Sequence, residues 1–278
     1  MKLHLQEIQK AEWNILKAFH EYCQAHGLRY ALSYGTLLGA VRHGGFIPWD
    51  NDIDVMMPRS DFEQFLACTK AEPVADTLYV QHYTLDPRYH YICARVCDAN
   101  THVHVPYIRQ QPSRLGVWID IFPVDGVGEG SPRFPLQQAL LKWHWMLFRA
   151  DVYGSTEKNS RTRLNYLIKK AALVLFPNRN HAQNYAVDRI CKWFPFEEAE
   201  NVAFLFGEEG ICKIPRRDFD ELIKLPFGDG EFYCPPHYDQ FLTQSYGDYM
   251  TLPKEEDRMT HDIDAEYLPG ETPEARKE

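Results

Sequence analysis

The amino-acid sequence predicts an α+β protein, a mixed β-sheet carrying helices, with a helical insertion in its second half. Three observations predict it. Apolar residues recur at helical spacing from residue 3 to 26, and strand-like and helical stretches then alternate to about residue 70. Short runs rich in β-branched and aromatic residues, separated by turn residues, fill positions 78 to 122. From about Pro132 to Phe194 the pattern turns helical. The expected organisation is a catalytic core with its N-terminal helix over 1–131, a helical subdomain over 132–200, a C-terminal part over 201–268 that completes the active site, and a frayed tail over 269–278.

Each element has a local reason. Leu5, Ile8, Ile15, Phe19, Tyr22 and Cys23 form the apolar stripe of the first helix, and Gly27 stands where a C-terminal cap belongs. Arg29 to Tyr34 reads as a short strand that enters a turn at Gly35-Thr36. Thr36 to His43 reads as a helix of two turns stopped by Gly44-Gly45. Asp52 to Met57 is the second expected strand, closed by Pro58, and Ser60 with Glu63 looks like a capping box opening the next helix. Leu78 to Tyr83, Tyr91 to Val96, His102 to Val105 and Val117 to Phe122 are the following strand candidates, with Pro123 ending the last. Helices are expected around Leu136–Phe148, Leu164–Leu175 and Tyr185–Trp193, with a polar loop over 154–162. Short strands at Ile211–Ile214, Leu222–Phe227 and Glu231–Cys234 and a helix from Pro236 to Tyr246 complete the chain.

Composition narrows the function. The chain has 278 residues, of which 45% are hydrophobic and 14% aromatic, as a folded globule requires. A formal net charge of -9 argues against nucleic-acid binding as the main task. The seven cysteines fall in no C-x-x-C pair and read as free thiols in a reducing cytoplasm; a zinc site from Cys93, Cys97, Cys212 or Cys234 is the weaker alternative. No signal peptide or membrane-spanning run is read, so the expected location is cytoplasmic. Arg161, Arg163, Lys169 and Lys170 beside an apolar stripe fit either a solvated basic helix face or peripheral contact with the inner face of a membrane.

The chemistry concentrates in two stretches. Asp52 and Asp54 are two apart and share one face if they lie on a strand, with Asp50 adding a third charge in the stiff Pro48-Trp49 loop. Crowded carboxylates repel unless a cation sits between them, and magnesium, with manganese as the alternative, suits an oxygen-rich site next to phosphate. Asp120, inside the apolar strand Trp118-Ile119-Asp120-Ile121-Phe122, is the best third acid, as metal ligand or as general base; a carboxylate paired with Arg95 is the structural alternative, and Asp125 the competitor. Gly35 and Thr36 at a helix start can offer N–H groups and a hydroxyl to a diphosphate. Arg42, His43, Lys254, Arg258 and His261 can supply positive charge to the same group. His102 and His104, alternating on a strand, are a weak metal pair without a third ligand.

Tyr34-Gly35-Thr36-Leu37-Leu38-Gly39-Ala40-Val41-Arg42, then Gly45-Phe46-Ile47-Pro48-Trp49-Asp50-Asn51-Asp52-Ile53-Asp54, resembles the LicD family, which includes bacterial phosphocholine transferases and is related to the fukutin group. Trp118 to Asp125 and Tyr246-Gly247-Asp248-Tyr249 match as well. The resemblance implies a nucleotidyltransferase-like, polymerase-β-type fold. It implies transfer of a phospho-alcohol from a cytidine diphosphate donor such as CDP-choline to a sugar hydroxyl of a glycan or glycolipid acceptor, a cell-surface glycan precursor. It also implies the metal role for Asp52 and Asp54, the third acid for Asp120 and donor-phosphate binding for Gly35 and Thr36; from the residues themselves, Asp120 is the expected third metal ligand and Arg42, Trp49, Asp50, Arg258 and His261 are further substrate-binding candidates. Many members have Asp where Asn51 stands, and by strand alternation that position points away from Asp52 and Asp54. Trp49, Tyr91, Tyr107 and Trp118 are candidates to hold a trimethylammonium head. Two other readings remain at this stage. One is a nucleotidyltransferase that uses a nucleoside triphosphate and releases pyrophosphate; the other is a noncatalytic binding or scaffold protein.

Overall fold

The computed structural model describes residues 1–86, 88–106, 108, 114–152, 180–207, 211–258 and 260–269. The expected helix at Leu164–Leu175 with its basic residues, the loop 154–162, Tyr107 and most of the tail lie outside them.

Helix α1, Leu5–His26, opens with Glu7 accepting the His4 backbone N–H at 2.8 Å and closes at Gly27 in the left-handed conformation, φ 64°. Its buried stripe, from Ile8 through Ile15, Leu16 and Phe19 to Tyr22 and Cys23, packs on the sheet. Strand β1 (Ala31–Leu32) leads into α2 (Tyr34–His43), which Gly44 ends at φ 65°. Strand β2 (Asp54–Pro58) and helix α3 (Arg59–Cys68) follow, then β3 (Leu78–Gln81), β4 (Ala94–Asp98), β5 (Thr101–His104) and β6 (Trp118–Gly126). Helices α4 (Phe134–Val152) and α5 (Asn180–Cys191) pack on each other. The C-terminal part holds β7 (Asn201–Ala203), β8 (Ile214–Pro215), the hairpin β9 (Ile223–Phe227) and β10 (Gly230–Cys234), helix α6 (Tyr238–Tyr246) and β11 (Asp264–Tyr267).

The main sheet runs β1-β2-β6-β4-β3, with β7 and β8 added beyond the end of β6. Strands β2 and β6 are parallel and the other pairs antiparallel, so the sheet is mixed and the chain is α+β. A separate pair, β5 with β11, brings the end of the chain back to the core, where Lys2 bridges Glu266. Among the described residues no helix is long and apolar enough to cross a membrane.

Three sequence expectations are corrected. Pro123 does not end β6. It lies after the last β4 pairing at Ile121 and before the first β7 pairing at Asp125, where that side of β6 is unpaired and a missing N–H costs no ladder bond. Ser60 does not cap α3, because the helix already begins at Arg59; its hydroxyl reaches Asp61 and Glu197 instead. Asp125 is not a loop residue. It lies in β6 and accepts two bonds from the buried Arg59, whose other branch donates to Asp188 of α5 at 2.8 Å.

His82 links fold stability to pH. It is 3% exposed, and its Nε2 donates to the Ile92 carbonyl while Nδ1 accepts from Thr84, so the pocket fits only the neutral ring. Burial pushes its pKa down to about 4. The unfolded chain takes up this proton near pH 6.5, so stability is full above that value, declines by about 3 kcal/mol as pH falls from 6.5 to about 4, and levels off below. Urea titrations of the wild type and His82→Gln at pH 7.5 and 4.5 test this. The substitution is expected to flatten the pH slope, and parallel slopes would refute the assignment.

Candidate active site

The sheet register sets the first row of the site. Asp54, the first residue of β2, lies opposite Asp120 of β6, and Asp120 lies opposite Arg95 of β4. Directly paired residues share a face, so all three project to the same side. Arg95 Nε donates to Asp120 Oδ1 at 2.8 Å and Trp118 Nε1 to Oδ2 at 2.8 Å, which holds the carboxylate in one orientation. The arginine pairing weighed for Asp120 on sequence is therefore present.

The second row comes from the loop before β2. Asp52 lies in this loop and not on the strand, because β2 begins only where its partners do: Ser33 N–H donates to the Asp54 carbonyl and Asp120 N–H to that of Ile53. The loop brings Asp50 and Asp52 together with His261, whose Nε2 stands 3.0 Å from Asp52 Oδ2. One ligand atom from each of Asp50, Asp52 and His261 lies within 4.8 Å of the others, and among the described residues this is the group that can hold a metal. Asp54 and Asp120 stand behind it on the sheet. The cysteines expected as a zinc alternative are free, and neither they nor His102 and His104 form such a group among the described residues.

The start of α2 shapes this loop. Thr36 is buried and its Oγ1 accepts the Asp54 backbone N–H at 2.8 Å, so this hydroxyl anchors β2 to α2. A Cβ on Gly35 would stand 2.8 Å from Asp50 Oδ2, too close for a carbon, so glycine is what lets the acid approach the helix. Tyr34 just before it takes φ 43°, a strained value for a tyrosine.

The basic and aromatic candidates are largely engaged with one another. Arg42 donates to the Tyr249 carbonyl at 2.7 Å and to His43 at 3.0 Å. The Arg258 guanidinium sits 4.5 Å from the Trp49 ring centroid, and that of Arg95 sits 4.2 Å from Trp118 and 4.8 Å from Tyr91. Each of these rings, expected to receive a trimethylammonium group, thus already has an arginine over it. Lys254 is paired loosely with Glu256 at 3.8 Å on the surface.

Sequence reasoning missed Glu12. It is 2% exposed, its Oε2 is buried with no hydrogen-bond partner, and burial together with the charges of Asp52, Asp50 and Asp120 pushes its pKa well up. The signal was present: Glu12 falls four residues after Ile8 and four before Leu16, inside the apolar stripe of α1. The same crowding acts on the other acids. Burial, then the charge of Asp52 and a hydrogen bond with it, push Asp50 up to about 7. Burial, then Asp52, Asp120, Asp50 and Glu12, push Asp54 well up. For Asp52 burial acts upward too, but the hydrogen bond and charge of His261, with Asp50 and Arg95, bring it below the ordinary value. His261 is raised in turn, chiefly by its hydrogen bond to Asp52. Five carboxyls thus face two cationic groups. That surplus, with the orphaned oxygen of Glu12, fits a divalent cation.

This acid cluster lies at the central strands β2 and β6 of a mixed sheet, beside the start of α2. Comparison with known proteins gives the family. The model for LicD/FKTN/FKRP, nucleotidyltransferase domain, matches residues 27–130, which hold Gly35, Thr36, Arg42, Trp49, Asp50, Asp52, Asp54 and Asp120 but not Glu12, Lys254, Arg258 or His261. The lipopolysaccharide cholinephosphotransferase LicD of Haemophilus influenzae is 30% identical over 280 aligned positions, covering 96% of this chain and 99% of that protein. The ribitol 5-phosphate transferase FKRP of Mus musculus is 31% identical over 104 residues, covering 35% of this chain and 20% of its own length. The human FKRP is 59% identical over 32 residues, covering 12% of this chain and 6% of its own. The chain belongs to the LicD family and is a phosphotransferase enzyme. The scaffold reading is thereby set aside.

Proposed function

We propose that the protein moves phosphocholine, or a closely similar phospho-alcohol, from a CDP-linked donor to a sugar hydroxyl of a glycan or glycolipid and releases CMP. The observation that carries this reading is the convergence of Asp50, Asp52 and His261 in front of Asp54 and Asp120, in a chain similar along nearly its whole length to a cholinephosphotransferase. We further propose a polymerase-β-type nucleotidyltransferase fold for the core. Its support is the family model's description and the β2–β6 row that carries the acids.

Asp50, Asp52 and His261, with Asp54 and Asp120 adjoining, would hold magnesium or manganese. An ion held by these residues would supply charge neutralisation for the diphosphate and the leaving phosphate. The remaining work belongs to the side chains. Arg95 and Trp118 fix Asp120 so that its free lone pairs can orient the acceptor hydroxyl and receive its proton. Arg42 and Arg258 place positive charge beside the loop for the donor phosphates, and His43 accepts a hydrogen bond from Arg42. Gly35 keeps the helix start close to Asp50. The seven free cysteines support a reducing, cytoplasmic location, with peripheral membrane contact a natural arrangement for a lipid-linked acceptor.

A ligand panel read by thermal melting tests this. CDP-choline with magnesium is expected to raise the midpoint by several degrees at a concentration 100-fold above Kd, equivalent to about 2.7 kcal/mol, and CMP is the expected product. No shift with any CDP-alcohol, but a shift with a nucleoside triphosphate and release of pyrophosphate, would establish the second reading, which the family model's nucleotidyltransferase description favours.

A further inference from the structure

Asn51 sits between Asp50 and Asp52 and is 4% exposed. Its amide works in both directions on one distant residue. Nδ2 donates to the His261 carbonyl at 3.0 Å, and Oδ1 accepts the His261 N–H at 2.8 Å. A primary amide facing a peptide group in this way makes a matched donor–acceptor pair, as two paired residues do in an antiparallel ladder. Two more contacts fasten the same place. Thr260 Oγ1 donates to the Trp49 carbonyl at 2.6 Å, and Arg258 stacks on the Trp49 ring. The next regular structure, β11, begins only at Asp264. The position of His261 over Asp52 therefore depends on the loop Trp49–Asp52 gripping it from below.

We infer that Asn51 is a positioning residue that clasps the backbone of His261 so that its imidazole meets Asp52, and that a carboxylate at this position cannot do the same. Aspartate has the shape of asparagine but no N–H. It would set a second acceptor against the His261 carbonyl and add charge beside Asp50 and Asp52. The inference rests on the reading of Asp50, Asp52 and His261 as the ion-holding group, but the clasp itself can be measured without turnover.

The experiment compares wild type, Asn51→Asp, Asn51→Ala and His261→Ala, and the pair Asn51→Asp with His261→Ala, after melting curves have verified folding. Hydrogen exchange at the His261 amide is expected to be at least about tenfold faster in Asn51→Ala, which removes the Oδ1 that accepts this N–H. Turnover of CDP-choline is expected to fall by roughly tenfold or more in Asn51→Asp, yet by less than about threefold when the same change is made in the His261→Ala background. Wild-type exchange at His261 in a folded Asn51→Ala overturns the clasp. An equal loss of turnover with and without the imidazole overturns its action through His261. If no CDP-alcohol is turned over by any variant, the exchange measurement still decides the clasp, and the failure belongs to the functional reading. Asn51→Asp is nearly isosteric, so the turnover comparison with and without the imidazole decides the proposal even if the alanine variant fails to fold.

Discussion

Asp52→Asn is expected to abolish turnover, by about 100- to 1,000-fold or more, while leaving the melting temperature unchanged or higher. Both halves follow from the same crowding. Asp52 is the acid that His261 contacts at 3.0 Å, and that contact helps bring its pKa below the ordinary value. The charge of Asp52 helps push up the pKa values of Asp50, Asp54 and Glu12. An amide keeps the shape but removes the negative charge, so the group loses its grip on a divalent cation and the repulsion among the remaining acids is relieved. Binding would suffer where folding gains. The measurement pairs initial rates of CMP release with melting curves taken with and without magnesium. The magnesium-dependent shift should vanish with the activity. Near-wild-type turnover in Asp52→Asn would sink the ion-holding assignment, whereas a collapse of the melting temperature would give Asp52 a structural role.

Arg59→Ala is expected to destabilise the protein by about 3–5 kcal/mol, the usual cost of removing one partner from a buried ion pair. Arg59 lies at the first residue of α3, 8% exposed, and joins three elements. Its Nε and Nη2 donate to Asp125 near the end of β6, and its Nη1 to Asp188 of α5, which Lys192 also holds at 2.6 Å. Truncation leaves Asp125, 2% exposed, as a buried carboxylate facing Asp188 with no cation from α3. Denaturant unfolding measures the loss. The pair Arg59→Met with Asp125→Leu should recover part of it, because apolar groups of similar volume need no charge partner. A loss under 1 kcal/mol in Arg59→Ala would show that Lys192 and solvent suffice for both acids.

These two residues mark how far local reading reaches. The stretch from Ser33 to Asp54 shows its character in sequence: a helix ended by Gly44, a stiff Pro48-Trp49 loop and three acids within five residues. Asp120 stands out for the same reason, an acid inside an apolar strand. Glu12 was visible in principle, as a charge within a buried helical stripe, but its meaning depends on what lies against that stripe. Asp125 was misplaced because proline usually ends a strand, and only the sheet order reveals that one side of β6 is free at Pro123.

The sequence by itself determined the elements and their chemistry, because helical and strand periodicity, glycine stops and the clustering of acids are properties of neighbouring residues. Tertiary structure alone decided the partners. Asn51 and His261 meet across 210 positions, Arg59 and Asp188 across 129, and Asp120 and Arg95 across 25. Such meetings are set by strand register and by the return of the C-terminal segment through β11. A one-residue shift of register would turn every side chain to the other face without altering any local pattern.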